Sequence, residues 1–220
     1  MDIAKQVLLA MLMLILLSVL IPARAEESVS PMIVSETANS TEYPALEADI
    51  PVITSEGKSN VKIAGVKSKN KLVRYTIPET LLRTDENFLA LMVEAEKYIG
   101  YPYVYGGSKP STGFDCSGFV CWVFRQSGVY DTGRLGAKGL YSLCTDVSRD
   151  EARPGDLVFF TKTMGADVKG ITHVGIYVGN DMMLHAGDPV GFADLQSDKW
   201  AKKIYAFGRL PVQQGAQADE

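Results

Sequence analysis

Short apolar runs separated by turn signals fill the last third of the chain, and this pattern constrains the fold more than any other feature. The β-branched run Ile171–Val178 is followed by the turn Gly179–Asp181 and a returning run that begins at Met182, which predicts an antiparallel hairpin. Leu157–Phe160 predicts a short buried strand upstream, and Ile204–Leu210 predicts a strand that closes the sheet. We therefore expect one antiparallel sheet in this part of the chain.

Two helices are predicted before these strands. Asp85 can cap a helix from Glu86 to Ile99, because its carboxylate can accept hydrogen bonds from N–H groups of the first turn. Gly100 then ends that helix. A second helix is predicted from Cys116 to Ser127, and its apolar face suits a central buried position. A helical layer followed by a meander of antiparallel strands is an α+β pattern.

The second helix begins at a cysteine, in the stretch Phe114-Asp115-Cys116-Ser117-Gly118-Phe119. In a first helical turn the dipole and the free N–H groups favour a thiolate, and the same N–H groups can bind an oxyanion. The alternative is a buried structural thiol. Of the three cysteines, Cys121 is predicted to be a core residue, although a disulfide with Cys144 is possible in an oxidising compartment.

The only two histidines, His173 and His185, lie on the two strands of the predicted hairpin. They could therefore stand side by side on one face of the sheet. A thiol served by one imidazole, which the second imidazole orients, is a nucleophilic relay. A zinc site built from Cys116 and both histidines is the competing interpretation, but a fourth protein ligand is missing. We expect a cysteine hydrolase with no metal and no cofactor.

The N-terminus predicts export. Val7–Ile21 is an apolar run of about 22 Å, shorter than the roughly 30 Å hydrocarbon core of a membrane. Ala23-Arg24-Ala25 follows, with small residues where a signal peptidase reads the chain. We expect residues 1–25 to be a cleaved signal peptide, with an uncleaved signal-anchor as the alternative. The protein would then be secreted or associated with the cell wall, or tethered outside the membrane.

Residues 26–84 are predicted to be a largely disordered linker with two differently charged parts. Residues 26–56 contain seven acidic residues and no base, whereas residues 57–78 contain six bases and no acid. The simplest interpretation is a solvated spacer. The basic part, from Lys58 to Arg74, could instead contact anionic wall polymers or membrane lipids. The formal net charge of −4 argues against a nucleic-acid partner. Residues 85–212 are predicted to be the folded domain, and residues 213–220 a polar tail.

The chain resembles the NlpC/P60 family of cell-wall cysteine peptidases. The resemblance covers about residues 88–210 and rests on four motifs: Tyr103-Val104-Tyr105-Gly106-Gly107, Phe114–Phe119, Arg153–Phe160, and His173–Asn180 followed by Leu184-His185-Ala186. The peptidase domains of wall hydrolases carried by conjugative elements of Gram-positive bacteria are similar. Those proteins usually carry a glycan-cleaving domain upstream, and residues 26–84 are too short for one.

The resemblance implies a papain-like fold and assigns roles to individual residues. Cys116 would be the nucleophile, His173 the general base and His185 the residue that orients it. Tyr105 would support the oxyanion region. The residues implied in binding the stem peptide are Asp115, Ser117 and, by a poorer match, Arg134.

The reaction implied is cleavage of peptidoglycan stem peptides at the bond between γ-D-glutamate and the diamino acid. Two alternatives stay open at this point. One is an N-acetylmuramoyl-L-alanine amidase on the same scaffold. The other is a wall-binding module without turnover, which would have no need to keep a nucleophile and two histidines.

Overall fold

The computed structural model describes residues 49–165 and 168–212, and every structural statement below refers to these ranges. The helices are α1 Glu79–Leu82, α2 Glu86–Glu96, α3 Cys116–Gln126 and α4 Ala137–Leu143. The strands are β1 Lys62–Ile63, β2 Val66–Lys67, β3 Ser108–Lys109, β4 Gly113–Phe114, β5 Thr145–Val147, β6 Leu157–Thr161, β7 Ile171–Gly179, β8 Met182–Ala186, β9 Val190–Asp194 and β10 Ile204–Arg209.

Six strands form one antiparallel sheet in the order β5-β10-β6-β7-β8-β9. Helix α3 packs against β7 and β8, where its buried apolar side chains meet Val174, Ile176 and Leu184 in the main hydrophobic cluster. The α+β prediction is therefore confirmed. The predicted hairpin is the β7–β8 pair, in which Ile176 lies opposite Leu184.

The two predicted helices are present with slightly earlier ends. Asp85 caps α2 as expected, because its Oδ1 accepts hydrogen bonds from the N–H groups of Asn87 at 2.8 Å and Phe88 at 3.2 Å. The last turn before Gly100 departs from α-helical geometry, and Gly100 itself adopts a φ of +94°. Substituting a residue with a Cβ there would also bring that atom against the carbonyl of Ser59, so this glycine both ends the helix and admits a neighbouring segment.

Several elements have no counterpart among the helices and strands predicted from the sequence. Residues 129–152 contain two of them, α4 and β5. Helix α4 is anchored by Leu140, which is fully buried, but the glycines that surround it obscure its periodicity. Strand β9 was missed as well, and β10 lies between β5 and β6 rather than at the far edge of the sheet. Sequence periodicity does not report the order of strands in a sheet.

The described part of the predicted linker packs against the rest of the domain. Ile53, Ile77 and Leu82 are buried in the main hydrophobic cluster. The segment also pairs with itself, because the N–H of Ile77 donates to the carbonyl of Ile53 at 3.0 Å. This differs from the largely disordered linker predicted for residues 26–84. The apolar side chains that anchor the segment are isolated between polar residues. The average composition of the segment is therefore that of a disordered linker, although a few of its residues are buried.

Shortening Ile53 should destabilise the domain by about 2–4 kcal/mol, the usual range for truncating a buried aliphatic side chain to alanine. The measurement is the free energy of unfolding in urea of Ile53→Ala. Val52→Ala is the matched control, since Val52 is 68% exposed and its truncation should change stability by less than about 0.5 kcal/mol. Equal, small effects at both positions would show that the segment does not pack on the domain.

The predicted signal peptide, residues 26–48 of the predicted linker and the predicted tail 213–220 lie outside the described residues. Within residues 49–165 and 168–212, none of the helices is long and apolar enough to cross a membrane.

Candidate active site

The thiol of Cys116 lies at the start of α3, enclosed between the helix and the sheet. Asp115 is the N-cap residue, and its Oδ1 accepts a hydrogen bond from the N–H of Gly118 at 2.6 Å. The backbone N–H groups of Val174, Ser117 and Cys116 itself lie near the sulfur and act to lower the pKa of the thiol. Since Val174 follows His173 on β7, the fold brings the predicted nucleophile to the strand that carries the predicted base.

The direction of the Cys116 pKa differs from the expectation for a helix start. Burial, with a smaller contribution from the Asp115 carboxylate, raises the pKa of the Cys116 thiol to about 11, although the three N–H groups lower it in part. Removing a thiolate from water is unfavourable, and here this effect exceeds the stabilisation by the amides. The resting thiol is therefore protonated, and a base must remove its proton when it reacts.

The two histidines stand side by side on β7 and β8, as predicted. Nε2 of His173 and Nδ1 of His185 are 2.8 Å apart, a hydrogen-bond distance, and both side chains are buried. Gly175 makes this approach possible, because a Cβ there would stand 3.1 Å from the Cβ of His185 and 2.8 Å from the sulfur of Met183. Trp200 stacks on His173 with a ring separation of 5.2 Å and an interplanar angle of 24°.

The hydrogen bond between the imidazoles determines which nitrogen of His173 can serve the thiol. Its Nε2 is engaged with His185, so Nδ1 is the ring nitrogen left to exchange a proton with sulfur. If Nε2–H donates to His185, Nδ1 is unprotonated, which is the tautomer that a general base requires. After proton uptake the imidazolium keeps the same donor to His185, which orients the ring and stabilises its charge.

The environment of the pair favours neutral imidazoles. Burial, followed by the nearby Lys199 charge, lowers the pKa of His173 to about 3. Burial also lowers the pKa of His185 well below its usual value, with smaller contributions from His173 and Lys199. A neutral imidazole beside a protonated thiol can accept the thiol proton only as the sulfur attacks an electrophile. The site is thus arranged for general-base catalysis rather than for a resting ion pair.

Acidification should destabilise the protein through these two histidines. The unfolded chain binds protons on both below about pH 6.5, whereas the folded chain does not, so stability is complete above that pH and decreases as pH falls toward the folded pKa values. We expect a loss of about 3–4 kcal/mol in the free energy of unfolding between pH 7 and pH 5. Urea titrations check this, and His185→Asn should show about half the pH dependence. A flat profile would contradict the lowered pKa values.

The three residues predicted to bind substrate form one cluster beside the nucleophile. Arg134 donates from Nη2 to Oδ2 of Asp115 at 2.7 Å and from Nη1 to the hydroxyl of Ser117 at 3.1 Å. The same Oδ2 accepts the N–H of Gly106 at 3.1 Å, while Oδ1 accepts the Ser117 hydroxyl and the Gly118 N–H. Because Asp115 is engaged by four donors, the cluster fixes the backbone on both sides of Cys116. The structure therefore brings the three residues together even where the sequence match at Arg134 was poor.

Two tyrosines of the Tyr103–Gly107 motif reach the site. Tyr105, predicted to support the oxyanion, is 79% exposed and lines a cavity above the histidine pair. Tyr103 lines the same cavity. Burial raises the pKa of Tyr103 to about 12, and the next contributions come from Cys116 and Asp115. The phenol of Tyr103 thus lies in the electrostatic environment of Cys116, which makes it a second candidate for the supporting role.

The cavity above the histidine pair has a volume of about 370 Å³. Its walls include two residues that sequence reasoning missed, Lys199 and Trp200. The Lys199 ammonium lies 5.0 Å from the centre of the Trp200 ring, within the range of a cation–π contact. Both residues follow β9, in a region without a periodic signal. The sequence signal that could have identified them is that a lysine directly precedes one of only two tryptophans.

The three cysteines are free. Cys121 donates weakly to the carbonyl of Leu135 and Cys144 to that of Leu140, so the possible Cys121–Cys144 disulfide is not formed. Within residues 49–165 and 168–212, no group of three or more His, Cys, Asp and Glu side chains is arranged to hold a metal ion. Nε2 of His173 and Nδ1 of His185 face each other, so these two nitrogens are not directed at a common ion.

A cysteine at the start of a buried helix, which packs on an antiparallel sheet that carries two paired histidines, is characteristic of the papain-like class of α+β folds. A family model described as the NlpC/P60 family matches residues 100–209. The chain belongs to the NlpC/P60 family, as the four motifs predicted. The family boundaries enclose every residue of the site described above.

Relatives of this chain include proteins named as endopeptidases and as a glutamyl hydrolase. It is 46% identical over 121 residues to the bifunctional muramidase/DL-endopeptidase CwlT of Bacillus subtilis, covering 54% of this chain and 36% of that protein. Over 121 residues it is 44% identical to a probable endopeptidase p60 of Listeria seeligeri, covering 54% of this chain and 22% of that protein. It is 41% identical over 120 residues to the gamma-DL-glutamyl hydrolase of Bacillus subtilis, covering 53% of this chain and 28% of that protein.

The chain thus spans about a third or less of the length of these relatives. Among solved structures, an NLP/P60 family protein of Staphylococcus aureus, described as similar to a lipoprotein, superimposes with a TM-score of 0.54 at 41% identity. That comparison covers 57% of this chain and 42% of the other. It supports the same papain-like fold for the domain.

Proposed function

We propose that this protein is a secreted peptidoglycan hydrolase that cleaves stem peptides at the bond between γ-D-glutamate and the diamino acid. The observation that carries the proposal is the enclosed Cys116 thiol beside a pair of hydrogen-bonded, neutral histidines. Relatives named DL-endopeptidase and gamma-DL-glutamyl hydrolase support the choice of bond. Cys116 is the nucleophile, His173 the base and acid, and His185 the residue that orients His173.

The first half of the reaction transfers the acyl group to the enzyme. As Cys116 Sγ attacks the glutamyl γ-carbonyl carbon, its proton passes to Nδ1 of His173 and the carbonyl oxygen becomes an oxyanion. The N–H groups at the start of α3 favour negative charge near the sulfur, and they would stabilise that oxyanion when the carbonyl lies beside the thiol. His173 then gives the proton to the departing amine of the diamino acid, the C–N bond breaks, and a thioester remains.

The second half regenerates the enzyme. Neutral His173 takes a proton from water as the water oxygen attacks the thioester carbon, and the C–S bond breaks while the proton returns to sulfur. The buried His185 keeps the His173 ring in place through both halves. No further group is needed, because the same histidine acts as base and acid in turn.

Product analysis of digested peptidoglycan tests the bond. We expect mass spectrometry to show new fragments ending in free D-glutamate and others beginning with the free amine of the diamino acid. Release of intact stem peptides from the glycan would instead support the N-acetylmuramoyl-L-alanine amidase, the alternative on the same scaffold. Absence of any fragment, with binding to walls retained, would support a wall-binding module and contradict the proposal.

We also propose that the N-terminal residues direct the enzyme to the wall. Residues 1–25 would export it, and the basic residues from Lys58 to Arg74 would contact anionic wall polymers. Binding of the full chain to purified walls should then weaken as salt concentration rises. Wall binding that is unaffected by both salt and neutralisation of these bases would contradict this part of the proposal.

A further inference from the structure

A second cavity adjoins the one above the histidine pair, and one of its walls comes from the N-terminal segment. Its volume is about 370 Å³, which lies in the usual range of small-molecule sites. The N-terminal wall consists of residues 70–73. The residues that line both cavities are His185, Gly187, Asp188, Lys199 and Trp200, so the two cavities form one continuous groove past the histidines.

Specific contacts hold residues 69–72 against the sheet. The backbone N–H of Lys69 donates to Oδ2 of Asp188 at 3.2 Å, and the Asn70 side chain donates to the carbonyl of Asp188 at 2.9 Å. Leu72 packs over Gly191, where a Cβ would stand 2.7 Å from Leu72 Cδ2. The wall is therefore a built part of the domain, although its residues precede the region that the family model matches.

The second cavity is lined by side chains of both charges, and its two lysines have no ion-pair partner among the described residues. Lys71 and Lys199 line it together with Asp188 and Asp194. Among residues 49–165 and 168–212, neither lysine lies within ion-pair distance of a carboxylate. Each aspartate accepts one backbone N–H on one oxygen. Two ammonium groups and two carboxylates thus line a groove that has room for a ligand carrying both charges.

The position of the cavity identifies the half of the substrate that would enter it. A base that takes the thiol proton and returns it to the departing amine lies on the leaving-group side of the scissile bond. The Asp115–Ser117–Arg134 cluster lies at the helix start beside Cys116, whereas the second cavity is lined by His185 and Trp200 and by none of the three cluster residues. The diamino acid, which contains the departing amine, would therefore extend toward residues 70–73.

We propose that residues 70–73 and Lys199 form the subsite for the diamino acid side chain, and that this subsite prefers a side chain ending in both an ammonium and a carboxylate, as in meso-diaminopimelate, over the single ammonium of lysine. This inference rests on the proposed function. The two side chains differ only by the terminal carboxylate. Lys71 and Lys199 can pair with that carboxylate, while Asp188 and Asp194 can pair with the ammonium. A lysine side chain leaves both enzyme ammonium groups without a carboxylate partner.

The test compares two soluble tripeptides, L-alanyl-γ-D-glutamyl-meso-diaminopimelate and L-alanyl-γ-D-glutamyl-L-lysine, by kcat/KM. A charge-assisted contact favours its ligand enough that we expect a preference of about tenfold or more for the diaminopimelate peptide. Lys71→Met combined with Lys199→Met should reduce that preference to about threefold or less, mainly by slowing cleavage of the diaminopimelate peptide. Lys202→Met removes an exposed lysine that lines neither cavity, and it should keep the full preference.

Each outcome bears on a different part of the inference. Equal rates with both peptides in the unmodified protein, or a preference that survives in the double variant, would overturn the subsite while leaving cleavage at Cys116 intact. Loss of the preference in Lys202→Met would also overturn it, because a general effect of charge would then be responsible. Cleavage of neither peptide by the unmodified protein would overturn the proposed function and this subsite together.

Discussion

Cys116→Ala should abolish stem-peptide hydrolysis, with a decrease in kcat of about 10⁴-fold or more, because removing the nucleophile from a concerted relay eliminates the covalent route. The folded state should persist, since the thiol is small and alanine fits the space it leaves. The measurement is release of new amines from purified peptidoglycan, with circular dichroism to confirm the fold.

Cys121→Ala is the matched control for that variant. Cys121 lies in the same helix and is also buried, but its sulfur faces the carbonyl of Leu135 at 3.6 Å rather than the sheet. We expect this variant to keep activity within a few-fold of the unmodified protein. Equal losses from both substitutions would indicate that the helix tolerates no change, and full activity of Cys116→Ala would eliminate the thiol as nucleophile.

Gly118→Ala should reduce both stability and activity. A Cβ at residue 118 would overlap the carbonyl oxygen of Gly107, which is backbone and cannot move aside as a flexible side chain can. Overpacking of this kind costs about 1–3 kcal/mol, and the better helix propensity of alanine returns at most about 1 kcal/mol of that. We expect a net loss of about 2 kcal/mol. A shift of Cys116 by about 1 Å would lower kcat about 100-fold.

Gly136→Ala is the control for this prediction. Gly136 precedes α4 with a φ of −78°, and nothing lies within 4 Å of the position that its Cβ would occupy. The substitution should change the free energy of unfolding by at most about 1 kcal/mol, because Gly136 is the N-cap residue of α4 and alanine is a poorer cap, and it should leave kcat unchanged. If Gly118→Ala changed stability and kcat as little as Gly136→Ala does, the close approach of Gly107 to the helix start would have no effect on the site.

The candidate catalytic residues could be predicted from the sequence because cysteine and histidine are rare in this chain and lie near the ends of predicted elements. Cys116 follows a capping aspartate, and the two histidines lie on either side of a hairpin turn, seven residues before Asn180 and five residues after it. Both patterns depend only on residues close together in the sequence. In the structure, the two imidazoles lie at a hydrogen-bond distance of 2.8 Å. The helix-start argument nevertheless gave the wrong direction for the pKa of the thiol, because the extent of burial depends on the tertiary fold.

The features that could not be predicted depend on contacts between distant parts of the chain. Ile53 and Leu72 look like isolated apolar residues in a charged segment, yet one enters the core and the other packs over Gly191. Trp200 stacks on His173 from a stretch without periodicity. Tyr103 and Tyr105 alternate in one motif, and sequence alone does not decide which phenol approaches the sulfur. Long-range packing decides all of these.

The covalent intermediate tests the central claim most directly, because the enclosed and protonated thiol makes labelling by a thiol reagent a poor measure of its role. The full chain would be mixed with the tripeptide that it cleaves faster, quenched in acid within the first turnover, and digested for peptide mass mapping. We expect an L-alanyl-D-glutamyl adduct on the peptide that contains Cys116. Steady formation of products with no adduct there, or with an adduct on another residue, would contradict the account.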